Sequence, residues 1–213
     1  MDQMDMPFVV KIGGSTLGSH DTSLEDLVQL QSQGLQPVVI HGGGKVISEW
    51  MQRLGTMPRF VNGLRVTDAA GLEVVTSVLT GLVNKDLVVS LLALGGRAIG
   101  LSGVDAGILK ANIDNPELGY VGKIVVVDPT FIQLTLSGGY IPVIASVGIQ
   151  QLEGLSRRGQ LLNINADEAA GEIALSLNAQ RLIFLTDVPG VLDSSGRLIP
   201  RLTSSQGRAL MGS

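Results

Sequence analysis

Short apolar runs alternate with amphipathic segments along the chain, and each of the first two runs ends in glycine. The run at 8–12 is followed by Gly13 and Gly14, and the run at 37–41 is followed by a glycine triplet at 42–44. Apolar residues at helical spacing follow the triplet. Strand, glycine turn and helix in succession indicate a buried, mostly parallel sheet with helices on both faces. We therefore expect an α/β fold, a three-layer αβα sandwich with an open, mostly parallel central sheet.

The same alternation continues through the rest of the chain, without an internal repeat or a linker. Predicted helices cover 23–33, 45–54, 68–94, 129–137, 166–177 and a segment from 203 onward; predicted strands cover 98–102, 141–146 and 181–187, with a hairpin across 108–128 and a short strand or loop at 161–165. The helix at 68–94 is apolar over too much of its circumference for one buried face. Such a helix is either sandwiched inside the domain or used in a subunit contact, and the pattern favours neither.

Composition excludes several classes of protein. The 213 residues include 19 acidic and 15 basic side chains, for a net charge of −4, and no cysteine. The lack of cysteine excludes disulfides, zinc–thiolate sites, iron–sulfur clusters and thiol nucleophiles. The acidic balance argues against a nucleic-acid partner, and no apolar run approaches the ~18 to 20 residues of a membrane span. We expect a soluble, cytoplasmic protein with no nucleic-acid and no membrane partner.

Glycine is abundant, at 28 of 213 residues, and its position at strand ends suggests a chemical role. A glycine turn between a strand and a helix offers backbone N–H groups beside a helix N-terminus, which favours bound anions. Neither turn matches the P-loop or the dinucleotide-binding fingerprint. One Gly-Gly pair alone would more often reflect close packing of a helix on a strand. The two turns together favour a phosphate held between them.

Polar side chains near these turns are candidates for chemistry. Lys11 interrupts an apolar strand where its ammonium can reach the anion, although it could also be an edge-strand lysine that extends to water. Arg65 could bind a carboxylate with two N–H groups, although taken alone it would more often be a surface arginine. Asn163 and Asp167 can face the same way just before and in the first turn of a helix. Asp167 could equally serve only to complement the helix dipole.

Two further polar positions have structural interpretations. Asn165 could be the N-cap of the helix at 166–177, with Glu168 as the partner in a capping box. His41 precedes the glycine triplet, and we expect it to be structural.

Five motifs, in this order, resemble the amino-acid kinase superfamily. They are K-I-G-G at 11–14, H-G-G-G at 41–44, N-G-L-R-V-T at 62–67, G-L-S-G-V-D at 100–105 and N-I-N-A-D at 163–167. Within the superfamily, N-G-L-R-V-T and N-x-N-A-D are similar to the branch that phosphorylates N-acetyl-L-glutamate. The resemblance implies ATP-dependent phosphorylation of the γ-carboxylate of N-acetyl-L-glutamate in arginine biosynthesis, with Mg²⁺ on the nucleotide.

The resemblance also implies a role for each candidate residue. Lys11 would stabilise the migrating phosphoryl group, and Asp167 would fix Lys11 instead of acting as a base. Arg65 would hold the α-carboxylate of the substrate, with Asn163 beside it. The positions expected to cradle the phosphate are Gly13, Gly14, Gly43 and Gly44, of which the last two would also contact the amino-acid substrate.

Members of the superfamily continue past the position of Ser213 into a G-G-M-x-x-K segment with a second catalytic lysine. The resemblance therefore implies a single domain over 1–213, in which 1–170 form the amino-acid-substrate half and 171–213 begin an incomplete nucleotide-binding half. We expect that the sequence is truncated. The alternatives are a sister kinase of a carrier-linked amino-acid carboxylate in a lysine or arginine route, which the intact 62–67 motif disfavours, and a non-catalytic binding homologue.

The start of the chain bears on the expected oligomeric state and regulation. The first strand begins near Phe8, which leaves no room for the N-terminal helix of arginine-inhibited hexameric members. We expect a homodimer without arginine feedback that uses the helix at 68–94 as its contact surface.

Overall fold

Strands and helices alternate along most of the chain, as the apolar pattern predicts. The computed structural model describes residues 6–13, 22–151, 159–186 and 188–211. The strands are β1 (Phe8–Ile12), β2 (Pro37–His41), β3 (Phe60–Val61), β4 (Leu64–Arg65), β5 (Ala98–Ser102), β6 (Leu109–Ile113), β7 (Val121–Val127), β8 (Ile141–Ala145), β9 (Val147–Gln150), β10 (Leu161–Ile164) and β11 (Arg181–Leu185). The α-helices are α1 (Ser23–Ser32), α2 (Gly44–Arg53), α3 (Ala69–Thr76), α4 (Asn84–Ala93), α5 (Thr130–Ser137), α6 (Ala166–Ser176) and α7 (Ser204–Met211), and a π-helical segment, Ser77–Val83, joins α3 to α4.

The central sheet has five strands in the order β11-β1-β2-β8-β5, and every neighbouring pair is parallel. Its two faces are covered by different helices. Val9 packs with residues of α5 and α6, whereas its neighbour Val10 packs with residues of α1 and α4. This alternation confirms the α/β fold with helices on both sides of a parallel sheet. Since all five strands run the same way, their carboxyl ends meet at one edge.

A second, smaller sheet lies beside the first, and its closure was not predicted. β10, β7, β6 and β9 form a closed four-stranded barrel, in which the predicted hairpin is β6 and β7. Gly122 of β7 makes this closure possible: a Cβ there would lie 2.9 Å from side-chain atoms of Ala111, Leu162 and Ile164. The open sheet that the sequence predicts is therefore accompanied by a compact barrel built from the hairpin and two short strands.

The long helix that begins after the N-cap Asp68 is buried on one side and exposed on the other. Its inner residues, each no more than 2% exposed, are Val75, Val78, Leu79, Leu87 and Leu91. Its outer apolar residues are Leu82, Val89 and Leu92, at 42%, 63% and 51% exposure. The helix is thus packed on one flank within the chain and leaves an apolar flank uncovered. The π-helical turn in its middle has no signature in the apolar spacing.

The same helix qualifies the expectation that no segment approaches a membrane span. Over Ala69–Ala93 it is long and apolar enough to cross a membrane by length and composition alone. One third of its most apolar window is buried inside the protein, against residues of both sheets. A helix in the core of a protein can have the same length and apolar composition as a membrane helix.

A buried polar cluster joins α4 to the carboxyl edge of the central sheet. Asn84, 1% exposed, places its Nδ2 within 2.8 Å of Val143 O, 3.1 Å of Leu101 O and 3.1 Å of His41 Nε2. The other ring nitrogen of His41, Nδ1, lies 3.0 Å from Gly42 O. A neutral ring with its proton on Nδ1 satisfies both contacts, because Nε2 then accepts from the amide and Nδ1 donates to the carbonyl. His41 is therefore a structural residue, as predicted.

The stability of the protein should depend on the protonation of His41. Burial lowers the pKa of His41 from 6.5 to about 4, an effect that the charge of Lys85 adds to and the bond to Gly42 opposes. As the pH falls from 6.5 to about 4, His41 binds a proton in the unfolded chain but not in the folded chain, so the free energy of unfolding decreases. We expect His41 to account for a loss on the order of 3 kcal/mol in the free energy of unfolding.

Denaturant unfolding at pH 7, 6, 5 and 4 measures this loss. The His41→Gln variant, which has no titrating ring, should show a shallower pH dependence than the parent chain while the carboxylates contribute equally to both. Equal slopes for the two proteins would show that His41 is not buried in its neutral form.

Candidate active site

A cleft opens at the carboxyl edge of the central sheet, where the barrel and the β3–β4 ribbon approach it. It is bounded by the ends of β1 and β2, by β4 and by the turn from β10 into α6. Its lining includes Lys11, Gly13, Gly43, Gly44, Arg65, Asn163 and Asp167. These are all the predicted site residues except Gly14, which lies outside the described residues. Segments that are up to 156 positions apart in the sequence, as Lys11 and Asp167 are, thus meet in one place.

Lys11 and Asp167 form an ion pair in this cleft, with Nζ 2.9 Å from Oδ1. β1 pairs with β11 on one side and β2 on the other, so Lys11 does not belong to an edge strand and that alternative is wrong. The lysine side chain is 16% exposed, whereas that of Asp167 is 58% exposed. An ion pair this open contributes little to stability. Its consequence is that the ammonium is held at the sheet edge.

The N-terminus of α2 lines the cleft and is of the kind that favours a bound anion. α2 begins at Gly44, and no side chain caps it, so its first-turn N–H groups lack intrahelical acceptors. A Cβ at Gly43 would lie 2.8 Å from Leu79 Cδ2, so packing explains that glycine. A Cβ at Gly44 would meet nothing within 4 Å. The lack of a side chain at Gly44 leaves open space in front of the helix.

The N-terminus of α6, on the opposite wall, is already satisfied. Asn165 Oδ1 accepts from Asp167 N at 2.8 Å and from Glu168 N at 3.1 Å, which confirms the predicted N-cap. The capping-box prediction for Glu168 is wrong, because Glu168 Oε1 accepts instead from Ile124 N of β7 at 2.9 Å. The Asn165 cap thus occupies two N–H groups in the first turn of α6, whereas no side chain caps α2.

Gly13 lines the cleft, but its N–H is already used. It donates to Leu185 O at 3.2 Å, so the parallel ladder between β1 and β11 continues one residue beyond β1. The expectation that Gly13 cradles a phosphate therefore lacks this donor. What Gly13 provides is a stretch of backbone without a side chain next to Lys11.

Arg65 is buried in the cleft wall, at 7% exposure, and is not a surface arginine. Its Nη2 donates to Gly44 O at 2.8 Å and to Ser48 Oγ at 2.9 Å, and its Cζ lies 4.7 Å from the centre of the Phe60 ring. Burial lowers the pKa of Arg65 from its ordinary value. Among the residues that the structure describes, no acidic side chain forms an ion pair with it. A buried cation without a counter-charge is a place for an anionic ligand group.

Asn163 connects the two motifs that flank the cleft. Its Nδ2 donates to Thr67 Oγ1 at 3.1 Å, and Thr67 Oγ1 donates to Arg65 O at 3.0 Å. Thr67 is fully buried. The hydrogen bonds fix the backbone of β4 against β10, so the arginine and the asparagine keep a constant relative position.

Sequence reasoning missed two residues of the cleft. Ser146 is 2% exposed and follows β8 directly at the carboxyl edge, so the rule that located the glycines would also have located it. Phe60 lies over Arg65 from β3, a strand of only two residues. Such a short strand has no periodic pattern, and nothing in the sequence indicated the contact.

Comparisons with known proteins show the family of the chain. Residues 6–210 match the amino acid kinase family. The acetylglutamate kinase of Dehalococcoides mccartyi strain CBDB1 is 45% identical over 205 residues, which cover 96% of this chain and 75% of that relative. That of Synechococcus sp. strain PCC 6301 is 45% identical over 210 residues, covering 95% of this chain and 68% of the relative. The crystal structure of smu.665 from Streptococcus mutans UA159 is similar with a TM-score of 0.85 at 32% identity, covering 96% of this chain and 82% of that one. The chain belongs to the amino acid kinase family.

Proposed function

We propose that the protein transfers the γ-phosphoryl group of ATP to the γ-carboxylate of N-acetyl-L-glutamate, a step of arginine biosynthesis. The observation that carries the proposal is the buried Arg65, which has no ion-pair partner among the described residues, beside the uncapped N-terminus of α2 and the ammonium of Lys11. The relatives at 45% identity are named for this activity. A cleft lined by two cations suits a ligand with one carboxylate to hold and one to phosphorylate.

Arg65 and Asn163 are proposed to bind the amino-acid end of the substrate. The Arg65 guanidinium bonds to Gly44 and Ser48 through Nη2 and to Met51 Sδ through Nη1, which leaves N–H groups that can donate to the α-carboxylate. Asn163 Nδ2 is bonded to Thr67, which leaves its carbonyl oxygen as an acceptor for the acetamido N–H of the substrate. The γ-carboxylate then points to the open space at Gly44.

Lys11 and the start of α2 are proposed to act on the group in transfer. An oxygen of the γ-carboxylate attacks the γ-phosphorus of ATP, the bond from that phosphorus to the β-phosphate oxygen breaks, and ADP leaves. The carboxylate carries no proton, so Asp167 is not a base; it holds Lys11 Nζ at 2.9 Å. Positive charge that is fixed before the reaction stabilises the transition state without reorganisation.

The nucleotide is ATP, as in kinases of this family, and we propose that Mg²⁺ accompanies it. Within the described residues, no group of three or more His, Cys, Asp or Glu side chains could hold a metal ion. We propose that the phosphates of the nucleotide hold the metal, which would neutralise their charge. Every residue to which we assign a role precedes position 171, which supports a substrate-binding half at 1–170 and the start of a nucleotide half at 171–213. As a biosynthetic enzyme, the protein is proposed to be cytoplasmic.

Replacing the two cations should affect different kinetic constants. Lys11→Ala removes charge from the group in transfer, so we expect kcat to fall about 10²- to 10³-fold with a smaller change in KM. Arg65→Ala removes a contact to the substrate, so we expect mainly a higher KM for N-acetyl-L-glutamate. ADP release and trapping of the acyl phosphate with hydroxylamine measure both constants.

The exposed Lys123, whose nearest carboxylate is 4.0 Å away on Asp114, supplies a matched control. Lys123→Ala should leave both kinetic constants unchanged. Equal and small effects of the Lys11 and Arg65 substitutions would contradict the assigned roles. ADP release without hydroxamate would show that the carboxylate is not the acceptor, and activity only on a carrier-linked substrate would favour the sister reaction.

We also propose that the protein forms a homodimer through the exposed flank of the long helix. Val89 and Leu92 there are 63% and 51% exposed, and β5 beside the helix is an edge strand of the central sheet. A second copy would cover this apolar flank and the open strand edge together.

Light scattering should therefore show a dimer for the parent chain and a monomer for Leu92→Glu. Leu134→Glu, at a 63% exposed leucine of α5, is the matched control and should stay dimeric. A hexamer, or a parent chain that is monomeric at micromolar concentration, would contradict the proposal.

A further inference from the structure

The cluster of Asn84 and His41 contacts neither substrate in the scheme above, yet it ends on the glycine turn of the cleft. We propose that Asn84 is a positioning residue: through His41 it fixes the Gly42 carbonyl, and with it the direction of the first-turn N–H groups of α2. The contacts do not depend on the proposed reaction, whereas the expected effect on turnover rests on that function.

Both ends of the buried Asn84 amide are hydrogen-bonded, and its two N–H groups are shared among three acceptors. Its Nδ2 approaches two strand carbonyls and His41 Nε2, and its Oδ1 accepts from Lys85 Nζ at 2.9 Å. The side chain therefore joins β5, β8 and the end of β2 to the start of α4. A buried amide in such a network cannot exchange its partners for water, so its loss leaves carbonyls and the imidazole unsatisfied.

Gly100 of β5 leaves the space that the Asn84 side-chain amide occupies. A Cβ at Gly100 would overlap Asn84 Oδ1 and would lie 2.6 Å from Lys85 Nζ. The φ of Gly100 is not in the left-handed region, so backbone conformation does not require a glycine. The close approach of the Asn84 amide requires a glycine at this position, which explains why a glycine lies in the interior of a strand.

The same helix supports the glycine turn at a second, apolar point. A Cβ at Gly43 would lie 2.8 Å from Leu79 and 3.2 Å from Val83, both in the π-helical segment. Val83 and Asn84 are consecutive, so neighbouring side chains contact Gly43 and His41. A π-helical turn changes the direction of the residues that follow it, and such turns are frequent at functional sites. Here the π-helical turn allows one stretch of helix to make both contacts. It fixes Gly42 through the hydrogen bonds of His41, and it fixes Gly43 by apolar packing.

Two substitutions and their combination test the proposal. Asn84→Ala removes the amide, and Gly100→Ala displaces it without removing it. The control is Thr135→Ala, which removes another buried side chain that donates to a backbone carbonyl, Phe131 O at 2.8 Å, far from the cleft. If Asn84→Ala fails to fold, Asn84→Ser keeps a single donor and takes its place.

Nuclear magnetic resonance measures the positioning directly. The chain has two histidines, so the ring nitrogens of His41 are readily assigned. We expect the parent chain to hold the proton on Nδ1 of His41, and Asn84→Ala to lose this preference and to shift the amide signals of Gly42, Gly43 and Gly44. Thr135→Ala should change none of these signals.

Kinetics measures the consequence for the proposed reaction. Displacement of catalytic N–H groups by about 1 Å costs on the order of 10²-fold, so we expect kcat to fall about 10- to 100-fold in both single variants, with a smaller effect on KM. Because both act through one amide, the double variant should be no slower than Asn84→Ala.

Unchanged Gly42 to Gly44 amide signals in Asn84→Ala, or additive effects of the two substitutions, would overturn the proposal. A parent chain that forms no hydroxamate, with the expected changes in the amide and imidazole signals of the variants, would overturn the proposed reaction and support the positioning role.

Discussion

One ammonium, held where the carboxyl ends of five parallel strands converge, is the constraint on which the rest of the cleft depends. Lys11 leaves the end of a central strand and reaches Asp167 on the first turn of α6, at 2.9 Å. β1 must lie inside the sheet for its end to face the cleft. The barrel strand β10 must end where α6 can begin on the opposite wall of the cleft. The glycine positions next to Lys11 keep the space around the ammonium clear.

The charges around this ammonium determine what the cleft can bind. Asp167 balances Lys11, whereas Arg65 has no carboxylate partner among the described residues and α2 begins without a cap. One buried cation and one helix N-terminus therefore remain for a ligand. A ligand with two anionic groups meets both, which agrees with a phosphorylated carboxylate as the product. Buried hydrogen bonds from Asn163 through Thr67 to the backbone of Arg65 keep the geometry fixed before the ligand arrives.

Much of this site could be predicted from the sequence because its signals are local. An apolar run that ends in glycine marks the carboxyl end of a buried strand, and such ends meet in a parallel sheet. Lys11 and the 42–44 triplet were located in this way. Arg65, Asn163 and Asp167 had simpler structural interpretations when taken alone. Their assignment depended on the resemblance of their motifs.

What could not be predicted depends on contacts between distant segments. Glu168 matched a capping box, but its carboxylate instead accepts a hydrogen bond from the N–H of Ile124, 44 positions earlier. The N–H of Gly13 was expected to be free, and the β11 strand, which joins the sheet from the other end of the chain, occupies it. The closed barrel, the π-helical turn and the Asn84 cluster likewise arise from tertiary packing. The spacing of apolar residues in the local sequence indicates none of these features.

The role of Asp167 as the residue that holds Lys11 is tested most directly by a double-mutant cycle on kcat. The cycle compares the parent chain with Lys11→Ala, Asp167→Asn and the double variant in the hydroxylamine-trapping assay. If Asp167 acts through Lys11, each single substitution should lower kcat, and Asp167→Asn should add little once Lys11 is gone. Fully additive losses, or a parent-like kcat in Asp167→Asn, would contradict that role.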